Sequence, residues 1–306
     1  MIEVAVVQAE VASTLEEGLA RTRTLTSDAA AQGARLVVFP ETWLPGYPAW
    51  LDVCRDVSLW DHAPTKAVFA RYRAESVEVG GAAGQVLADI ARASDVTLVI
   101  GISERVSAGP GYGTLYNSLL TYGPTGVLLN HHRKLMPTYT ERLVWGHGDT
   151  AGLRAVDTPA GRVGGLVCWE HWMPLSRQAL HGSGEDVHVA VWPTVQERHQ
   201  IARRSRRVTT GRCQNRDVRL RRGRWEFSRV TIARVVSAHL GGRRPRFASR
   251  CRGGPVIIRL EEDDHRHATL VAGAPRCRGH AAYERADDPQ RRVEQHRERH
   301  ALLERA

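Results

Sequence analysis

Over the first 200 residues, short apolar runs alternate with stretches whose apolar positions recur every three to four residues. The run 2–8, Ile2-Glu3-Val4-Ala5-Val6-Val7-Gln8, suits a buried strand. Ser13-Thr14-Leu15-Glu16 has capping-box spacing, which predicts a helix capped by Ser13, with Glu16 reaching back. That helix runs to about Ala31, where Gly33 stops it. A second strand covers 35–39, so strand, helix and strand follow within forty residues, the mark of a parallel or mixed sheet flanked by helices. Helical spacing returns at 60–75 and 85–93, and 96–102 reads as another strand. The segments 115–122 and 127–130 flank Gly123-Pro124-Thr125-Gly126 and form a hairpin. A strand at 163–167, a helix at about 173–180 and a strand at 187–193 complete the regular part.

Chemistry gathers at the ends of these strands. The strand 163–167 stops on Cys168, followed by Trp169-Glu170-His171-Trp172. A thiol on a strand-to-helix turn stands clear of the sheet, and the amides that follow favour a thiolate and a developing oxyanion. Position alone leaves a buried structural cysteine open. After strand 35–39 comes Pro40-Glu41-Thr42-Trp43-Leu44-Pro45-Gly46-Tyr47, a carboxylate where open α/β sheets keep their sites. Desolvation by Trp43 and Tyr47 would raise its pKa into the range of a general base. A surface-loop glutamate is the plainer alternative. The hairpin ends in His131-His132-Arg133-Lys134-Leu135, and Lys134 is one of two lysines in an arginine-preferring chain, the other being Lys66. A compact ammonium with a movable pKa differs from a guanidinium, although a snorkelling strand-end lysine has the same signature. The loop Thr140-Glu141-Arg142 to Trp145-Gly146-His147-Gly148 is of the kind that forms pocket walls.

Charge divides the chain. Residues 1–199 carry 16 Lys+Arg against 21 Asp+Glu, a balance of −5; residues 200–306 carry 27 Arg, no Lys and 12 Asp+Glu, a balance of +15. Five widely spaced cysteines without a C-x-x-C pair argue for a reducing, cytoplasmic setting and against a disulfide framework or zinc site. The N-terminus carries no secretory signal pattern, and no apolar run reaches the roughly 20 residues that span a bilayer. Gly109-Pro110-Gly111-Tyr112-Gly113 lacks phosphate-site context, and His296 and His300 lie in a His-Arg-Glu-Arg-His order that reads as a solvated helix face, not a metal site.

Three separated motifs, Phe39-Pro40-Glu41, His132-Arg133-Lys134-Leu135 and Cys168-Trp169-Glu170-His171, resemble in order and spacing the nitrilase branch of the carbon–nitrogen hydrolases. The resemblance covers about residues 2–200, and Thr140-Glu141-Arg142-Leu143-Val144-Trp145-Gly146 looks like the family segment that carries a second glutamate. It implies an α/β fold, a four-layer αββα sandwich, with a Glu-Lys-Cys triad. Carried over, Cys168 is the nucleophile, Glu41 the general base, Lys134 the stabilising cation and Glu141 the second glutamate. The backbone N–H of Trp169 joins Lys134 at the anionic centre. The implied activity is hydrolysis of an organic nitrile to the carboxylic acid and ammonia through a thioimidate and an acyl-enzyme, without metal or organic cofactor. An amidase or a cyanide-converting relative would use the same triad. Tyr47, Trp50, Tyr139 and Trp145, with Trp169, suggest an apolar substrate pocket. Implied partners are a small nitrile and further copies of the chain, as a dimer or spiral; neither a membrane nor nucleic acid is expected.

After residue 202 the apolar periodicity nearly vanishes, apart from 230–236, 256–258 and 268–272. The expected division is therefore a hydrolase core at 1–200 and an arginine-rich region at 201–306 that would complete the same domain. Three accounts fit the composition. A GC-rich gene read out of frame yields Arg, Gly, Pro and Ala in excess; an Arg-rich tail would bind phosphate non-specifically; a divergent segment could be mostly solvated. If the first holds, this chain would be impaired although its triad is intact.

Overall fold

The computed structural model describes residues 2–54, 56–194, 228–234, 256–260 and 269–271. Among these residues eleven strands fall into two sheets. The first has the order β10-β1-β2-β3-β4-β5, and the second β11-β9-β8-β7-β6. The strands are β1 Ile2–Val6, β2 Leu36–Val38, β3 Thr97–Arg105, β4 Leu115–Tyr122, β5 Leu128–Arg133, β6 Val156–Thr158, β7 Gly161–Val167, β8 Val187–Thr194, β9 Ser228–Arg234, β10 Val256–Leu260 and β11 Thr269–Val271. The helices are α1 Leu15–Ala31, α2 Trp50–Val53, α3 Ala63–Ala74, α4 Ala82–Ser94 and α5 Pro174–Gly182.

Connection length sets strand direction. The helical crossovers α1 and α3–α4 bring β1, β2 and β3 together in parallel, and α5 does the same for β7 and β8. The short turn at 123–127 makes β4 and β5 antiparallel. β2 is buried at every residue, as a strand covered on both faces must be. On one face of the first sheet, Val37, Phe39, Leu98 and Ile100 pack with Leu87, Ile90 and Ala91 of α4. On the other, Val4, Leu36, Val38, Val99 and Leu119 meet Val163, Val167, Val187 and Val189 of the second sheet. The outer face of β7 carries Gly164, whose missing side chain admits the Glu185 carboxylate, with Leu180 of α5 beside it. Helix, sheet, sheet, helix: the four expected layers are present.

Most predicted elements occur at their predicted places. The cap of α1 is shifted by one residue. Thr14 Oγ1 accepts from the Glu17 amide at 3.3 Å, and Glu17, not Glu16, reaches back to the Ser13 amide at 3.4 Å. β5 extends beyond the hairpin to Arg133. The strands β9, β10 and β11 coincide with the three apolar islands left in the arginine-rich region; β10 pairs with β1, and β9 with β8. Cys213, Cys251, Cys277, His296 and His300, with the longest arginine runs, lie outside the described residues. Among the described residues no helix is long and apolar enough to cross a membrane.

Candidate active site

Four chain segments end at the same place. Glu41 follows β2 in a turn tied to β3 by the Phe39 amide on Val99 O at 2.8 Å and by the Ser103 amide on Leu44 O at 2.7 Å. The turn is anchored to the helix layer as well, because Trp43 turns its indole N–H onto Thr22 Oγ1 of α1 at 2.8 Å. This explains why α1 buries Thr22 where a greasier residue is usual. Gly101 of β3 lies under the turn; a Cβ there would come within 2.3 Å of Pro40 O and 2.6 Å of Glu41 Cα. Lys134 stands one residue beyond β5, with its amide on Asn117 O of β4 at 2.8 Å. Glu141 sits in a 3-10 turn, Tyr139–Leu143, and its carboxylate caps that turn by accepting the Thr138 amide at 2.8 Å. Cys168 opens the 3-10 turn Cys168–Trp172 directly after β7, with φ of 54°. That left-handed conformation is costly for a residue with a Cβ and marks a turn held by its surroundings.

The side chains converge. Lys134 Nζ donates to Glu41 Oε1 at 3.0 Å and to Glu141 Oε2 at 2.8 Å, and its side chain has no exposed surface. The snorkelling alternative for Lys134 and the surface-loop alternative for Glu41 both fail against this burial. Asn117, which the sequence gave no reason to single out, donates its side-chain N–H to Glu41 Oε1 at 2.7 Å. Both donors share one oxygen, so Glu41 Oε2 is buried without a hydrogen-bond partner among the described residues. Glu170, quoted only as part of a motif, is fully buried beside His132.

Burial pushes the Glu41 carboxyl up to about 7; Lys134 opposes the shift and Glu141 adds to it. Burial alone would lower Lys134, but the two carboxylates outweigh it and hold the ammonium above its ordinary value. Cys168 corrects an expectation. Burial, with the charges of Glu41 and Glu141, pushes its thiol up, and neither Lys134 nor the Trp169 amide restores a thiolate. The resting group is therefore a thiol, with the carboxyls of Glu41 and Glu141 in electrostatic reach.

The aromatic residues divide. Trp145 is buried, donates to Ser103 Oγ at 3.0 Å and packs with Leu51 and Leu115, with Tyr47, Trp50 and Tyr72 against the same cluster. Tyr47 approaches the acidic cluster, its hydroxyl 3.4 Å from Glu141 Oε1. Tyr139 is 84% exposed and Trp169 52%. Among the described residues no group of histidine, cysteine and carboxylate side chains could hold a metal ion.

A buried cysteine, glutamate and lysine stand within electrostatic reach of one another at the strand ends of an α/β sandwich. The carbon-nitrogen hydrolase model matches residues 3–213, and the chain belongs to that family. It is 40% identical over 212 residues to an aliphatic nitrilase of Sinorhizobium fredii (strain HH103), covering 68% of this chain and 66% of that protein. It is 42% identical over 177 residues to a bifunctional nitrilase/nitrile hydratase of Oryza sativa subsp. japonica, covering 57% of this chain and 47% of that protein. A nitrilase of Pseudomonas syringae pv. syringae (strain B728a) is 39% identical, with 63% and 54% covered. The chain thus spans about half to two thirds of the length of the curated relatives it matches. A solved carbon-nitrogen hydrolase from Helicobacter pylori G27 aligns at a TM-score of 0.44 and 18% identity, covering 67% of this chain and 66% of that one.

Proposed function

We propose that the chain is the catalytic part of a nitrilase, converting an organic nitrile to the carboxylic acid and ammonia. The observation that carries the reading is Lys134, buried between Glu41 and Glu141 in electrostatic reach of Cys168. Glu41 takes the proton from Sγ as sulfur attacks the nitrile carbon, and the triple bond opens to a thioimidate. Negative charge develops on nitrogen, where the Lys134 ammonium stabilises it and supplies a proton; the Trp169 amide adds a second donor. Water adds to the thioimidate, ammonia leaves, and a thioester remains. A second water, deprotonated by Glu41, releases the acid and returns the thiol. Glu141 also holds Lys134, so the ammonium bridges two carboxylates and, after giving up its proton, regains one from Glu41, which carries the proton taken from Sγ. Tyr47, Trp50, Tyr139 and Trp145 are the candidate pocket side chains, with Tyr47 nearest the acidic cluster. The protein would act in a reducing, cytoplasmic compartment as a homo-oligomer, and residues beyond 200 would complete the same domain through β9–β11.

The test is ammonia release by the purified protein across aliphatic, arylacetic and aromatic nitriles, with an amide and cyanide alongside. Cys168→Ala and Cys168→Ser should both abolish release; undiminished release in both rejects the nucleophile. Faster turnover of the amide or of cyanide would move the assignment to those relatives. Resequencing the gene decides whether residues 201–306 are read in frame.

A further inference from the structure

A further buried carboxylate lies beside the site, outside the chemistry above. Glu170 is fully buried, two residues after Cys168. Its Oε2 accepts the Val167 amide at 2.8 Å, its Oε1 accepts the Leu135 amide at 2.8 Å, and His132 Nε2 lies 3.1 Å and 3.0 Å from the two oxygens. His132 Nδ1 is buried without a hydrogen-bond partner among the described residues, so the donated proton sits on Nε2. The residues held are the immediate neighbours of the reacting groups. Val167 precedes Cys168 at the end of β7 in the second sheet; Leu135 follows Lys134 and His132 precedes it by two, at the end of β5 in the first. The two sheets otherwise meet here through apolar packing, which does not fix register or distance to a fraction of an ångström. Directional bonds to one carboxylate do.

We propose that Glu170, with His132, is the positioning residue that sets the distance between the thiol of Cys168 and the ammonium of Lys134 by stapling the end of one sheet to the end of the other. The proposal rests on Cys168 and Lys134 being the nucleophile and cation proposed above. Glu170 touches no reacting atom. Burial would raise its carboxyl, but the donors from His132, Leu135 and Val167 hold it below the ordinary value, as an anion that accepts only.

Two variants separate length from charge. Glu170→Gln keeps the reach but has one oxygen, so one of the two backbone amides faces an N–H whichever way the amide is turned. Glu170→Asp keeps the charge and loses a methylene of reach. Two readouts are taken: kcat and KM on the best nitrile, and the pH midpoint of Cys168 alkylation by iodoacetamide, followed by the mass of the Cys168 peptide. The staple predicts that both variants lose kcat by roughly 10- to 100-fold with KM changed less than about threefold. It also predicts that the alkylation midpoint rises in both, because Lys134 no longer sits where it favours the thiolate. If Glu170 acted only through its charge, removing an anion in Glu170→Gln would lower the midpoint and Glu170→Asp would leave it alone. If it were merely structural, thermal stability would fall with the midpoint unmoved. Either result overturns the proposal. Should neither variant fold, His132→Gln, which leaves both backbone bonds, must show the same two changes at smaller size, and wild-type behaviour there also overturns it. The alkylation arm needs no nitrile, so a wild-type protein that releases no ammonia refutes the proposed function while the staple is still decided.

Discussion

Glu41 shows how far a single side chain is set by its neighbours. With burial raising its carboxyl to about 7, a base that must be deprotonated gives a kcat/KM that climbs with pH through about 7. Lys134, held above its ordinary range, adds no alkaline fall until well beyond it. A profile flat from pH 5 to 8 would remove Glu41 from the base's role. The same shift acts on stability in the direction opposite to a salt-bridged carboxylate. A folded value above the ordinary carboxyl value of 4.5 means that its contribution is present below 4.5 and lost as pH rises through about 7. Asn117 tunes this group, since its hydrogen bond lowers the Glu41 value. Asn117→Leu should move the acid limb of kcat/KM upward and cut the plateau roughly tenfold. Its stability should change by no more than about 1–2 kcal/mol, because Asn117 Oδ1 already has no hydrogen-bond partner among the described residues. A pH–rate series on the variant checks both. Lys134 could be singled out in the sequence because lysine is scarce there. Asn117 could not: one asparagine in the apolar run 115–122 gives no sign of the strand it faces or the carboxylate it meets.

At the scale of elements, a repeated period or an unbroken apolar run made an element legible. Helices of nine residues or more left a periodic trace, and the three-residue β2 is an apolar run, whereas the three-residue β6 (Val-Asp-Thr) and the four-residue α2 offer neither and were not predicted. Within the arginine-rich region the described strands β9–β11 coincide with the apolar islands, so burial demand survives there as pattern even where composition does not. The cap of α1 was misplaced by one residue because Ser13-Thr14 followed by Glu16-Glu17 offers two equivalent boxes. The motifs named the ends of β2, β5 and β7, but their meeting depends on two sheets stacking, which no local spacing encodes. β3 takes part without contributing a charged group. Gly101→Ala would push its methyl into the backbone at Pro40 and Glu41. The turn must shift, so activity should fall at least tenfold while far-UV circular dichroism stays that of the wild type. Wild-type turnover would mean that the turn has more freedom than its hydrogen bonds to β3 suggest.

For the molecule as a whole, the first sheet is closed at one edge by β10, which pairs with β1 from Ile2↔Leu260 to Val6↔Val256. Deleting residues 255–306 would leave β1 with unpaired amides and carbonyls beside an apolar core, an edge suited to pairing with another copy. Such a protein should scatter light at concentrations where the full chain stays clear; a clear, monodisperse solution would show that β10 is dispensable.

The positive φ at Cys168 has one more implication. Because β7 must end in a conformation that an L-residue resists, the tension is borne by the contacts around it and is released when those contacts loosen. Warming or mild denaturant should therefore relax the turn at Cys168, the proposed nucleophile, first. Turnover would fade while the circular dichroism of the sheets is still intact, making activity an earlier witness of loosening than any spectrum of the backbone.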